Sequence, residues 1–175
     1  MALEIFDKAD YGKLISWVPS EEELMQFAGP AFSFPLTPEQ LDKSLNDSNR
    51  YAYKVINTRS NAVIGHAEIY FATDTAYLGR ILIGDKEQRG RGIGQQLIKA
   101  LLDIVFADPN KDLVELNVFD WNIPAIKCYE KCGFVINQAK VKERHINRLT
   151  WRAVNMFFER LQREKLRLNN GPSDS

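Results

Sequence analysis

The residues best suited to chemistry lie together at 89–94: Arg89, Gly90, Arg91, Gly92, Ile93 and Gly94, three alternate glycines interleaved with two arginines. Glycines so spaced leave a backbone that another molecule can approach closely and that can take positive φ. An apolar-periodic helix follows at once, so its first amides have no intrahelical carbonyl to bond. Those amides, the helix dipole and the guanidinium groups all favour negative charge at one point. A phosphate or pyrophosphate is the ligand such a loop wants. A second group stands at 120–134, where Asp120, Asn122, Tyr129, Gly133 and Phe134 follow a strand pattern. A third is the pair His66 and Glu68, two residues apart and so on one face of a strand.

The loop does not match the common phosphate fingerprints. A nucleotide-binding Walker loop ends in Gly-Lys-Ser/Thr, whereas Gly94 is followed by Gln95 and Gln96. The dinucleotide pattern needs a glycine where Gln95 stands. In the second group, Asn122 reads as a helix cap, Pro124 as a first-turn residue and Gly133 as a left-handed helix stop. Locally, that segment requires no function.

Taken together, the two segments resemble the GNAT superfamily of acyl-CoA N-acetyltransferases. The loop reads as that family's Arg/Gln-x-x-Gly-x-Gly, and Asn122, Ala125, Tyr129, Gly133 and Phe134 as its Asn-x-x-Ala-x-x-x-Tyr-x-x-x-Gly-Phe. The resemblance covers residues 64–134 well. Residues 83–87 and 141–156 are more loosely similar to the ribosomal-protein and polyamine acetyltransferase branch, and the first 50 match in pattern alone.

The resemblance implies acetyl-CoA as cosubstrate and a primary amine, of a small molecule or a protein N-terminus, as acceptor. Backbone groups of Leu82, Ile83 and Gly84 would pair with the pantetheine arm like an added strand. Amides of Arg89, Gly90, Arg91, Gly92, Ile93 and Gly94 would hold the pyrophosphate. Asn122 and Ala125 would meet the arm where the sheet opens, and Tyr129 would stand by the sulfur as general acid. The alternative is a catalytically silent CoA-binding or interaction module, against which Tyr129 argues, since binding alone needs no proton donor at the sulfur.

The chemistry also needs a neutral amine. An alkylamine has a pKa of about 10, so removing its proton near pH 7 costs about 4 kcal/mol unless a base or a desolvating pocket helps. Glu68 is the candidate base, directly or through water, with a solvated strand residue as the bland reading. His66 reads more readily as a structural histidine, Asp120 as a residue orienting Asn122. Arg80, unusual in a strand, is expected to meet a carboxylate such as Glu68.

Positioning these groups requires strands at 51–57, 62–71 and 76–83 joined by short turns, an antiparallel meander. The glycine loop then feeds a helix whose apolar face carries Ile93, Leu97, Ala100, Leu101, Ile104 and Val105. A strand at 113–119, a helix at 123–131 and strands at 134–141 and 149–158 complete a mixed α+β sheet of about seven strands with helices on both faces. Before the meander come a short strand at 3–6 and helices at 7–17, 21–27 and 38–46, the last opened by Thr37 and Pro38. Phe32 and Phe34 read as cover for the core rather than as pocket lining. Residues 144–148 read as loop, and 1–160 as one domain with a charged tail, 161–175, helical at first and disordered at its end.

At 175 residues, 45% of them hydrophobic, the chain can bury a real core, and a net charge of +0 gives no reason to expect nucleic acid or anionic membrane. No apolar run approaches the ~20 residues of a membrane span. Two cysteines four residues apart fit a reduced, cytoplasmic chain, and two distant histidines offer no zinc set, so no metal is expected. A monomer or homodimer is expected.

Overall fold

The computed structural model describes residues 1–146 and 149–169. Its strands are β1 (Ala2–Ile5), β2 (Arg50–Asn57), β3 (Ala62–Phe71), β4 (Thr75–Ile83), β5 (Leu113–Phe119), β6 (Val135–Ile146) and β7 (Leu149–Glu159). Its helices are α1 (Tyr11–Ser16), α2 (Glu21–Ala28), α3 (Pro38–Leu45), α4 (Ile93–Val105), α5 (Ile123–Lys131) and α6 (Arg160–Asn169). The strands form one sheet in the order β1-β2-β3-β4-β5-β7-β6. Neighbours are antiparallel except β4 and β5, which α4 connects in parallel. The mixed sheet, the meander and the crossover are as the hydrophobic pattern predicts.

The sheet is covered on both faces because its strands alternate in what they bury. Ala67 and Ile69 of β3 face a core shared with Leu97, Leu101 and Val105 of α4 and with Tyr129 and Phe134. His66 and Glu68 point the other way and are buried too, at 1% and 2% exposure. There the N-terminal helices contribute a second core of Phe6, Tyr11, Leu14, Leu24, Phe27 and Leu41. Capping side chains start these helices. Asp7 accepts from Ala9 N at 2.8 Å, Ser20 from Glu23 N at 3.1 Å and Thr37 from Gln40 N at 3.4 Å.

Three expectations need correction. The first helix splits into a 3-10 turn over Lys8–Asp10 and α1, with Asp10 Oδ2 accepting from Asp7 N and pairing with Lys54 at 3.1 Å. The face of α4 is wider than expected: Ile98 and Leu102 are buried, and Ala100 and Ile104 only partly so, because the helix packs on α5 as well as on the sheet. β6 does not end at Val141 but runs to Ile146, after a register shift between Asn137 and Val141. From Lys142 to His145 this edge strand, paired with β7, has a polar sequence, which makes it look like loop. Residues 147 and 148 lie outside the described residues. The tail begins as the helix expected of it, α6, and that helix is docked. Arg160 Nε donates to Lys111 O at 3.0 Å and its Nη1 to Phe106 O at 3.3 Å, supplying a cation to the end of α4, while Arg163 pairs with Asp103. Residues 170–175 lie outside the described residues.

β4 and β5 pair only over Thr75–Leu78 and Leu113–Leu116. Beyond Leu78 the strands part, and the reason is a bulge. Glu68 faces Gly79, but the next registered pair is His66 with Leu82, so β4 carries an extra residue there. Arg80 takes the left-handed conformation, φ +49°, within it. A bulge bends and twists its strand locally, here opening β4 away from β5.

Candidate active site

Two cavities meet in that opening. The larger, about 660 Å³, runs from the parted strands to the glycine loop, and its wall includes Leu82, Ile83, Arg89, Gly90, Gly92 and Gly94. The smaller, about 360 Å³, lies on the other side, against 25–30, Arg50, Arg80 and Trp151. Gln26, Phe27, Ile81, Asn122, Ala125 and Tyr129 border both.

The glycine loop has the conformation its composition calls for. Gly90 and Gly92 have φ of +74° and +79°, and Gly92 is the N-cap of α4. The first helical bond runs from Gln96 N to Gly92 O at 3.1 Å, so the amides of Ile93, Gly94 and Gln95 are left for another acceptor. Gly94 serves packing: a Cβ there would lie 3.2 Å from Cys128 Sγ, so α4 and α5 approach through it. Lys127 and Lys131 of α5, one helical turn apart, also line this cavity. They add positive charge to what Arg89 brings.

Along β4 the backbone groups divide by side. Gly84 N donates to Ile64 O at 3.0 Å, whereas the Ile83 carbonyl accepts from Arg89 Nε at 2.8 Å. Strand alternation therefore turns Leu82 and Gly84 toward β3, and Ile81 and Ile83 toward the open edge. Gly84 must be glycine for another reason: a Cβ would meet the Trp17 indole at 1.9 Å.

Across the opening, Asn122 caps α5, its Oδ1 accepting from Ala125 N at 3.4 Å. The helix stops with Gly133 N bonding Glu130 O at 2.9 Å and Phe134 N bonding Tyr129 O at 3.0 Å, around Gly133 at φ +97°. Tyr129 is thereby held by its own backbone carbonyl, and its ring packs on Phe134 with centroids 6.1 Å apart. Only 9% of it is exposed. Burial first, and then Cys128 and Cys132, raise its hydroxyl above the ordinary tyrosine value, so the proton stays on. The Cys132 thiol holds that of Cys128, which lines the larger cavity, down at about 7.

Glu68 lies beneath the floor. Arg50 Nη1 donates to its Oε2 at 2.8 Å, and Arg80 Nη1 lies 2.9 Å and 3.0 Å from its two oxygens and 2.6 Å from Ser44 Oγ. The anticipated Arg80–Glu68 pair therefore forms, and the bland reading of Glu68 as a solvated strand residue does not hold, because the N-terminal helices cover that face. His66 Nδ1 lies 2.9 Å from the Arg80 carbonyl and donates to it, tying down the bulge. Its Nε2 is buried and, among the described residues, without a hydrogen-bond partner, 3.8 Å from Glu68 Oε1, and burial pushes its pKa below the ordinary histidine value.

Of the residues singled out in sequence, Leu82, Ile83, Arg89, Gly90, Gly92, Gly94, Asn122, Ala125 and Tyr129 come together around the larger cavity. Gly84, Arg91, Ile93 and Glu68 line neither cavity. Phe32 and Phe34 do not line them either. Sequence reading missed Trp17, Gln26 and Phe27, which come from the pattern-poor N-terminal segment, and Arg50, whose side chain reaches across from β2. Lys127 and Lys131 were legible as an i, i+4 cationic pair on the helix that carries Tyr129. Among the described residues no group of three or more His, Cys, Asp or Glu side chains is arranged to hold a metal. No described helix is long and apolar enough to cross a membrane.

A seven-stranded mixed sheet parted between its parallel strands, with a glycine loop at one end of the opening, defines an acyltransferase-type fold. The chain belongs to the acetyltransferase (GNAT) family, whose model matches residues 21–134. It is 30% identical over 125 residues to spermidine N(1)-acetyltransferase of Vibrio cholerae, covering 69% of this chain and 70% of that one. It is 38% identical over 53 residues to aminoglycoside N(6')-acetyltransferase type 1 of Klebsiella pneumoniae, 30% of this chain. The match spans only 26% of that relative's length. In structure it is similar to the Vibrio cholerae spermidine N-acetyltransferase in complex with CoA and spermine, with a TM-score of 0.74 and 23% identity over 91% of this chain and 95% of that one. At that identity the likeness shows a shared fold.

Proposed function

We propose that the protein transfers the acetyl group of acetyl-CoA to a primary amine, with the amine in the smaller cavity and the cosubstrate in the larger. The observation that carries this reading is Tyr129, a buried, protonated hydroxyl where a phosphate-suited cavity meets a second one. Relatives that act on spermidine and aminoglycosides support an amine as acceptor.

The residues fit the cosubstrate. The amides at the start of α4, with Arg89, Lys127 and Lys131, suit a pyrophosphate, and the open edge of β4, at Ile81 and the Ile83 amide, suits an extended amide-bearing arm. Bound there, acetyl-CoA supplies the acyl group as a thioester. A backbone N–H on that edge donates to the oxygen that gains charge when the amine attacks. Tyr129 donates a hydrogen bond to the departing sulfur. Burial makes it a weak acid, so it acts by stabilising that charge, and the proton the thiolate finally takes is the one the amine nitrogen gives up as it becomes the amide. Asn122 holds the start of α5, and with it Tyr129, at the opening.

For Glu68 the geometry supports positioning. Its carboxylate is occupied by two arginines beneath the cavity floor and fixes them, whereas a base must reach the amine within hydrogen-bond distance or through one water. A cavity walled by cations itself disfavours an ammonium and so favours the neutral nucleophile. We further place the enzyme in the cytoplasm, with both cysteines reduced, as a monomer or homodimer acting on a small molecule or a protein N-terminus.

The test is calorimetric titration with CoA, ATP and NAD, followed by thiol release from acetyl-CoA with a panel of primary amines. CoA is expected to bind at micromolar strength and to raise the Tm. Binding of ATP or NAD in place of CoA rejects the loop reading. CoA binding without release from any amine leaves a silent CoA-binding module.

A further inference from the structure

We propose that the smaller cavity takes an amine that also bears an anionic group, a carboxylate or a phosphate, and discriminates against polycations. The inference rests on the acetyl-transfer reading for what happens to the amine, and adds which amines enter. Arg50, Arg80 and Lys142 line this cavity, and among the described residues no carboxylate does. A polyamine or an aminoglycoside would bring several ammonium groups there with nothing of opposite charge to receive them.

The positive charge is not cancelled from behind. Arg50 and Arg80 share the single carboxylate of Glu68, one negative charge against two positive. A second carboxylate near Arg50, Asp47, approaches its Nη2 only at 4.0 Å, and its side chain is 39% exposed, where solvent screens it. Arg50 Nε is buried and, among the described residues, has no hydrogen-bond partner, so one donor of the cluster is left over.

The cations are also held in place before any ligand arrives. Arg80 is fixed by Glu68, by Ser44 Oγ and by the Phe32 ring, 4.2 Å from its guanidinium carbon. Arg50 is held by Glu68 and lies over the Tyr70 ring at 5.4 Å. Donors already ordered lose little entropy on binding, which is what recognition of a small anion needs. Phe27, Phe119 and Trp151 supply an apolar wall for the body of the molecule. A volume of about 360 Å³ lies at the small end of ligand sites, suited to something the size of an amino acid or a phosphoamine.

The test uses the full chain and matched amines with acetyl-CoA, scored as kcat/KM for the free base. The pairs are phenylalanine against phenylalaninamide and phenethylamine, and O-phosphoethanolamine against ethanolamine, with spermidine and kanamycin as polycations. The anionic member is expected to win by about 10- to 100-fold, the range of a charge-assisted hydrogen bond, mainly through KM and less at high salt. Which pair shows the larger ratio separates carboxylate from phosphate. Arg50→Gln is expected to raise KM for the anionic member about 10-fold more than for the neutral member, with CoA still raising the Tm. Lys142→Gln, an exposed position, is expected to act the same way more weakly, and serves should Arg50→Gln not fold. Equal or better use of the neutral amines or polycations overturns the proposal.

A second readout needs no turnover. N-acetylphenylalanine is expected to bind the CoA-saturated protein more tightly than N-acetylphenylalaninamide does. That preference without turnover of any amine upholds the anion site and rejects acetyl transfer. Turnover without preference does the reverse, and absence of preference in both readouts sinks the proposal.

Discussion

Replacing Tyr129 by Phe tests the centre of the mechanism. The ring keeps its packing on Phe134 and the backbone bond from Phe134 N to Tyr129 O is untouched, so only the hydroxyl is lost. Among the described residues no side-chain hydrogen bond engages that hydroxyl, and the residue is 9% exposed. Its removal therefore breaks no bond of the resting protein. Tyr129 borders both cavities, and its hydroxyl is not an unsatisfied buried group, so Tyr129→Phe is expected to shift the Tm by no more than about 4 °C, corresponding to at most about 1 kcal/mol. Catalysis is expected to fall. A hydrogen bond to a charged sulfur contributes about 1.5–3 kcal/mol, and the upper part of that range corresponds to a fall in kcat of about 100-fold. CoA affinity should change little. Because burial raises the pKa of the hydroxyl, the wild-type rate should show no alkaline loss from Tyr129 up to about pH 10. Steady-state and single-turnover thiol release, with calorimetry for CoA, measure all of this. An unchanged single-turnover rate in Tyr129→Phe would reduce the residue to packing and refute the role given to it.

Further predictions concern the elements around it. Gly92→Val should weaken CoA binding at least 10-fold by forcing a side chain into φ +79°, although a Cβ there has open space around it. Gly94→Val acts by pushing α4 from Cys128 and should lower the Tm as well; CoA-induced stabilisation of wild-type size in either variant contradicts the loop assignment. Glu68→Gln leaves two guanidinium groups beneath the cavity without a counter-charge and should cost about 3 kcal/mol, or about 6–12 °C in Tm. Its pH–rate profile should run parallel to wild type, and selective rescue at high pH would make Glu68 the base instead. His66 is held neutral by burial, so the unfolded chain binds more protons below its own pKa of about 6.5. Stability is then full above about pH 6.5 and falls as pH drops below it, by up to about 1.4 kcal/mol per unit. The Tm difference between wild type and His66→Gln should narrow from pH 7 to 5, and a constant difference refutes this.

Local physics made much of this protein legible from its sequence. Thr37-Pro38, Asn122-Ile123-Pro124 and Gly133-Phe134 announce helix starts and a stop because the interactions involved span only a few residues, and they stand where expected. The period-2 and 3.6-residue patterns likewise revealed the meander, the crossover helix and the glycine loop at its start. What the chain alone could not show depends on contacts between distant segments. The bulge at Arg80 is a mismatch between two strands, held by His66 from 14 residues away, and no single strand records it. That bulge selects Ile81 and Ile83, rather than Leu82 and Gly84, for the open edge. In sequence Glu68 could be solvated or a base, because its environment is made by helices α1–α3, packed from the far end of the chain. Arg50, 18 residues from Glu68, joins it only through strand pairing, and the excess positive charge of the smaller cavity exists only once both arginines share that one carboxylate.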